Sequence, residues 1–433
     1  MEHINRMKFL SVLKCILVLV FTAHLCMGCT KEETKKSADS GEQLTKVRFG
    51  MLPYGDHTYA IIGVKQGWFK EVGIDLDYQV LKIENVVPFL NNGTIDVASC
   101  PPGILMASYE NTPDVVAFCF GDLFQGFAIM AKPTYKSYSD FATEGKQPKD
   151  AVKAAVAQMR GKTFAYPAEA AIKPFIDLAI EKSGLTRNDF KSLVLDDPMT
   201  INSLRNGQAD FQVGGAPSHV ILQREGFKPI LSSLELAKTA KPSPDSPELA
   251  SILEDGWVTT RKYFKEHKDI IMRMASVNFR IMRFMHDHKD EALALHMPYL
   301  SEATGQKFSP AEGKIIYDDL DPFFTFEQQK EWFDTPTSLY YYKNVNGAIL
   351  NSYIKQGIYQ KKPPTVEDIV TAEEVYRDMT KEKQLYDELL QKIEKSADKS
   401  KYQNKLDKAK KFYDAYDYLD ASNLLTEVDK FSK

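Results

Sequence analysis

VRFGMLPYGDHTYAIIGVKQGWFKEVGIDLDYQVLKIENVVPFLNNGTIDVASCPPG, residues 47–103, decides the fold. Three runs read as strands, Val47–Met51, Ile74–Val80 and Ile95–Ser99, and two helix-like pieces separate them. The first, Tyr59–Phe69, carries Ile61, Ile62, Val64, Trp68 and Phe69 on a mixed apolar face and is punctuated by Gly67 and Gly73; the second, Glu84–Leu90, ends at Asn91-Asn92-Gly93. Strands alternating with helices predict parallel βαβ units. Ligands of such open sheets sit at the carboxyl ends of strands. Those ends are Pro53-Tyr54-Gly55-Asp56-His57 and Cys100-Pro101-Pro102-Gly103.

Downstream, the same logic repeats. A helix near Ile104–Glu110 leads to a strand at Val115–Phe120, a turn at Gly121–Gly126 and a strand at Phe127–Ala131, after which Lys132–Asp150 loses periodicity. A second βαβ run follows. It has strands at Gly161–Tyr166, Leu193–Asp196, Ala209–Gly214 and Pro229–Ser232, and helices at Ala170–Ser183, Met199–Asn206 and Ser218–Glu225. Asn206-Gly207-Gln208-Ala209-Asp210 mirrors Asn92-Gly93-Thr94-Ile95-Asp96, and each precedes a Pro-containing loop. Two such sheets facing each other make a two-lobed binding architecture.

The motif Gly67-Trp68-Phe69-Lys70-Glu71-Val72-Gly73-Ile74-Asp75-Leu76, followed by Gly93-Thr94-Ile95-Asp96-Val97-Ala98, resembles the solute-binding proteins of the sulfonate, nitrate, taurine and thiamine-precursor ABC importers, the large family that shares its fold with the yeast thiamine-pyrimidine synthase. The resemblance runs from about Val47 to Val370. It implies a periplasmic-binding-protein-like α/β fold: two open, mostly parallel sheets with flanking helices and a two-strand hinge, with a C-terminal helical appendage added here. The expected division is a signal peptide at 1–28, a lipidated flexible tether at 29–44, lobe 1 at 45–132, lobe 2 with its crossovers at 133–255, the rest of lobe 1 at 256–370, and the appendage at 371–433.

Composition agrees with a globular protein larger than one ordinary core, with 433 residues, 43% apolar and 26% charged. A net charge of −4 gives nucleic-acid binding no electrostatic support. Five cysteines without a CxxC pair suggest neither a disulfide framework nor a zinc site, and no metal or cofactor is expected. Arg6, Lys8 and Lys14 flank an apolar run, Cys15–Leu25, too short for a comfortable membrane span and typical of an export signal. Gly28-Cys29 closes it like a bacterial lipobox, although Cys26 stands where Leu is usual, so lipidation at Cys29 is expected, with a plain secretory peptide as the alternative. The polar stretch Thr30–Gln43 reads as a tether. From Glu373 onward, apolar residues recur every three or four positions among Lys, Asp and Glu, which predicts helices; "YDAYDYLDASNLL" faintly resembles one tetratricopeptide helix, too little for an array.

A cleft site needs a stacking ring and a few orienting polar groups. The candidates are Tyr54, Asp56, His57, Tyr59, Asn92 and Cys100 from the first lobe, and Tyr166, Glu169, Ala216, Pro217 and Ser218 from the second; the resemblance implies contact at the loop after the first strand and at the helix start after the Gly-Lys strand. Anion-binding relatives place Ser, Thr or Gly at that helix start, whereas here it reads Pro167-Ala168-Glu169-Ala170. Glu169 with Asp56 favours a neutral or cationic heterocycle; alternatively Glu169 only complements the helix dipole and faces solvent. The resemblance implies a lipid-anchored, monomeric solute-binding component, not an enzyme, held in the cell envelope (periplasm or outer face of the cytoplasmic membrane), with a small-molecule ligand, an ABC permease and the membrane as partners. Two other readings stay open: a sensory or scaffolding lipoprotein, and a pyrimidine-synthase-like enzyme using Cys100, His57 and Asp56.

Overall fold

The structure is a computed structural model that describes residues 44–396 and 399–431. The expected signal peptide, tether and Cys29 lie outside these residues. The strands in chain order are β1 (Thr45–Met51), β2 (Ile74–Val80), β3 (Val97–Ser99), β4 (Val115–Phe124), β5 (Ala128–Ala131), β6 (Thr163–Tyr166), β7 (Lys191–Val194), β8 (Phe211–Gly214), β9 (Lys228–Ser232) and β10 (Leu253–Thr260). They form two five-stranded sheets, ordered β2-β1-β3-β10-β4 and β7-β6-β8-β5-β9. Both sheets are mixed rather than mostly parallel: the βαβ strands pair in parallel, and the strands that carry the chain between lobes, β4, β5, β9 and β10, pair antiparallel.

The mirrored motifs do the same job in each lobe. Gly93 and Gly207 turn the chain with φ of 73° and 71°, a conformation costly for any residue with a Cβ. The Asp three residues on then braces the first βαβ strand of its lobe: Arg48 N–H donates to Asp96 Oδ2 at 2.9 Å, and Thr163 N–H donates to Asp210 Oδ2 at 2.9 Å. Asn92, a predicted site residue, belongs to this turn. Its Oδ1 accepts from Thr94 N–H and Oγ at 2.9 and 2.6 Å, and it is exposed at the amino end of β3, the end opposite the ligand loops.

Three expectations are corrected. The predicted turn at Gly121 is strand: β4 continues to Phe124, because Asp122, Leu123 and Phe124 pair with Asp255, Glu254 and Leu253 of β10. The chain therefore crosses at 125–127, so β5 already belongs to the second sheet and the boundary at 132 is displaced; the return crossing likewise enters β10 at Leu253, before 256. The aperiodic Lys132–Asp150 holds two helices, Tyr138–Thr143, started by a Ser137–Asp140 capping box, and Pro148–Ala157, with Pro at its first position.

β10 sits inside the first sheet. Trp257, wholly buried, meets Phe49 edge-on at 5.2 Å and stacks with Tyr59 and Phe69 at 6.2 Å. At Gly256 the β4 backbone comes so close that a Cβ would stand 2.0 Å from the Cys119 carbonyl oxygen, so only glycine fits; the ladder bulges between Asp255 and Gly256.

The C-terminal helices are Ala372–Glu394, Gln403–Asp414 and Tyr418–Phe431. They are less separate than an appendage beginning at 371 implies. Val375, Tyr376, Met379, Tyr416 and Tyr418 join the main core, while Tyr386, Ile393, Leu406, Ala409, Ala421, Leu425 and Val428 form a small core of their own. Arg273 pairs with both carboxylate oxygens of Asp420 at 3.1 and 3.2 Å, tying the last helix to Lys268–Asp287.

Candidate functional site

The loop after β1 and the loop after β6 face each other across a narrow cavity of about 40 Å³. From the first lobe its wall includes Tyr54, Asp56, His57, Ile83, Pro101 and Phe124; from the second it includes Phe127, Pro167, Glu169, Ile172, Asp197, Ala216 and Pro217. A wider outer groove shares Tyr54, Ile83, Glu169 and Asp197 and adds Lys82 and Met199 at its rim. The Tyr54 hydroxyl donates to Glu169 Oε1 at 3.1 Å, directly bridging the lobes. The Tyr353 hydroxyl donates to the Ala170 carbonyl at 2.9 Å, so both bonds hold the loop 167–172 against the cleft.

Glu169 is not on a helix. The helix predicted from Ala170 begins at Lys173, leaving Glu169 in an extended loop, so its carboxylate does not complement a dipole but enters the cleft. Burial and the neighbouring Asp197 push it up to about 7. Asp197, at the first position of the helix Asp197–Arg205, is raised by burial to about 6 despite hydrogen bonds from the Ser218 hydroxyl at 3.3 and 3.4 Å. Three carboxylates thus line the chamber. Among the described residues lining it there is no Lys or Arg. The helices that begin around it, at Pro102, Lys173, Asp197 and Ala216, each carry Pro at their first or second position. Each such proline deletes an N–H that an anion would otherwise accept from.

At the cavity floor His57 is held by its Nδ1, 2.7 Å from the Ser99 hydroxyl. Its Nε2 lies 3.4 Å from Asp56 Oδ2 and 4.0 Å from Asp255 Oδ1. Burial lowers the His57 pKa against the opposing pull of Asp56, and burial raises Asp56 against the pull of His57.

Of the predicted residues, the structure brings Tyr54, Asp56, His57, Glu169, Ala216 and Pro217 to the cavity, and Ser218 stands behind it, holding Asp197. The others lie elsewhere. Tyr59 is core, its hydroxyl donating to Asn278 Oδ1 at 2.9 Å. Tyr166 lies off the wall beneath the Arg187 guanidinium, 5.2 Å from its ring centre. Cys100 is buried with its thiol 3.7 Å from the Pro101 carbonyl, and burial raises its pKa well above the usual range. A Cys100–His57–Asp56 set is therefore not assembled; the hydroxyl on His57 is that of Ser99, itself fully buried and off the wall. Sequence reasoning missed Asp197, for which Asp196-Asp197-Pro198 at a strand-to-helix junction was the available signal, and Asp255, for which there was none.

A family model described as the NMT1-like family matches residues 40–294. No curated protein sequence matches the chain. Among solved structures, the periplasmic aliphatic sulphonate binding protein SsuA from Escherichia coli superposes with a TM-score of 0.54 at 11% identity, covering 75% of this chain and 91% of that one. The periplasmic nitrate-binding protein NrtA from Synechocystis PCC 6803 gives 0.56 at 16% identity, covering 78% and 88%. The desulfurization enzyme DSZB gives 0.51 at 13% identity, covering 77% and 98%. At these identities the likeness is one of fold.

Proposed function

The chain belongs to the NMT1-like family, and from that premise we propose that it is the solute-binding component of an ABC importer, capturing a neutral or cationic small organic molecule, a protonated heterocycle or amine, between its lobes. The observation that carries the ligand class is the lining: Asp56, Glu169 and Asp197, with His57 but no Lys or Arg among the described residues of the inner chamber. Tyr54 offers a ring to stack on and a hydroxyl already shared with Glu169. Binding rather than catalysis is supported by the buried Cys100 and Ser99, neither of which reaches the wall.

The envelope setting rests on the leader and on Cys29, whose lipidation would anchor the protein beside its permease. No helix among the described residues is long and apolar enough to cross a membrane. Titration calorimetry tests the ligand class against nitrate, taurine, alkyl sulfonates, the thiamine pyrimidine and riboflavin. The expected result is affinity for the neutral or cationic heterocycles, weakened about tenfold or more in Asp56→Asn and Glu169→Gln, the scale of one charge-assisted hydrogen bond. Tight binding of nitrate or a sulfonate, unchanged or improved by Glu169→Gln, would sink the charge argument.

A further inference from the structure

The geometry points to a divalent transition-metal site at the cavity floor, with Asp56, His57 Nε2 and Asp255 as protein ligands and Asp122 beside them. Ligand atoms of Asp56, His57 and Asp255 all lie within 4.8 Å of one another. Bonds of about 2.0–2.2 Å put neighbouring ligand atoms about 3–3.5 Å apart. The 3.4 Å from His57 Nε2 to Asp56 Oδ2 already fits, and the 4.0 Å to Asp255 Oδ1 needs a shift of a few tenths of an ångström. Sequence inspection, which looked for spaced Cys and His, expected no metal; the fold assembles this set from the loop after β1 and from β10, about 200 residues apart.

A second observation is independent of that geometry. Asp122 faces Asp255 across the β4–β10 ladder and is wholly buried, yet neither of its oxygens has a hydrogen-bond partner. Asp321 arrives on a segment bridged to β4 through Asp122 and Phe323, and its Oδ2 stands 3.2 Å from where a Cβ on Gly55 would sit. Across Asp56, Asp122, Asp255 and Asp321, seven of the eight carboxylate oxygens are buried without a hydrogen-bond partner; among the described residues His57 is the one cationic side chain that approaches them, and no Lys or Arg pairs with them. Carboxylates so desolvated need a positive charge or protons. His57 is prepared to supply a neutral nitrogen: Ser99 engages Nδ1 at 2.7 Å, the usual way a second partner orients a metal-binding imidazole.

An imidazole with carboxylates suits Zn²⁺ or Mn²⁺ better than Ca²⁺ or Mg²⁺, which take oxygen-only shells. The carboxylates left over after the ligands are filled hold protons. A metal held there occupies Asp56 and leaves Glu169 and Asp197 as the carboxylates open to an organic cation, so the site is tested with the metal ion alone.

The full chain, stripped with a chelator, is dialysed separately against Zn²⁺ and Mn²⁺, then read by plasma mass spectrometry, by titration calorimetry with the ion alone, and by thermal melting. The expected result is a single tightly held equivalent of at least one ion, with a raised melting midpoint. Asp255→Asn should lose that equivalent while keeping its circular dichroism, and the exposed control Asp75→Asn should keep it. Ser99→Ala should weaken binding by about 10–100-fold. Should Asp255→Asn not fold, His57→Gln decides in the same way. A wild-type chain that retains neither ion, or an equivalent equally held by Asp255→Asn and His57→Gln, overturns the site. A wild type that binds neither ion and melts higher as pH falls through the acid range also overturns it, because the carboxylates are then satisfied by shared protons.

Discussion

Glu169 should make ligand binding pH-dependent in a way that can be counted in protons. In the ligand-free cleft, burial and Asp197 hold its carboxyl at about 7 rather than near 4.5. A bound cation beside it would restore the ordinary value, so binding expels the proton that the free site holds. With those two values, release is about 0.9 proton at pH 6, about 0.5 at pH 7 and about 0.1 at pH 8. Because the free form carries the proton and the bound form does not, affinity rises with pH and levels off above about pH 7. Between pH 6 and 8 the gain is about tenfold, or about 1.4 kcal/mol. Asp197, at about 6, adds up to about half a proton at pH 6. The assay is calorimetry with a ligand that stays positively charged throughout, repeated in buffers of different ionisation enthalpy; the slope of heat against buffer enthalpy is the number of protons. Glu169→Gln should lower affinity and leave only the Asp197 share. A wild-type slope near zero at pH 6, or one that Glu169→Gln leaves unchanged, refutes the reasoning.

Tyr59→Phe strands the Asn278 side-chain oxygen in the core and should cost about 1–3 kcal/mol in chemical denaturation, with no change in ligand affinity, because the ring faces Trp257 and not the cleft. Truncation after Val370 removes Val375 and Met379 from the main core, worth about 1.5–3 kcal/mol each before the tyrosines are counted; with stabilities of about 5–15 kcal/mol, the shortened chain should melt far lower or fail to fold, and an unchanged melting midpoint would show the helices to be separable. Cys29→Ala should release the protein from membranes on fractionation; variant protein still pelleting with membranes in high salt excludes lipidation there.

What was legible in the sequence follows from what is local. The strand–helix alternation of residues 47–103 and its echo at 206–210 are local, and so are the two glycine turns with their bracing aspartates; the fold could be read from them. The loop residues of the cleft, Tyr54, Asp56, His57 and Glu169, were legible because parallel sheets present ligands at strand ends, a rule of topology that needs no contacts. Tyr59 and Asn92 were misread for complementary reasons. Tyr59 is one helix step past the loop and is turned inward by Trp257, while Asn92 is at the correct strand but at its amino end. The acidic floor was invisible for a stronger reason. Asp122 and Asp255 lie on the antiparallel strands that join the lobes, and an aspartate inside "FCFGDLF" or "LEDGWVTT" reads as a turn or a solvated edge, because a buried unpaired carboxylate is normally excluded. Such an exception to the burial rule is what a functional site leaves behind when its members come from distant segments. The crossing strands that connect the lobes therefore also bring these carboxylates to the floor of the cleft between them.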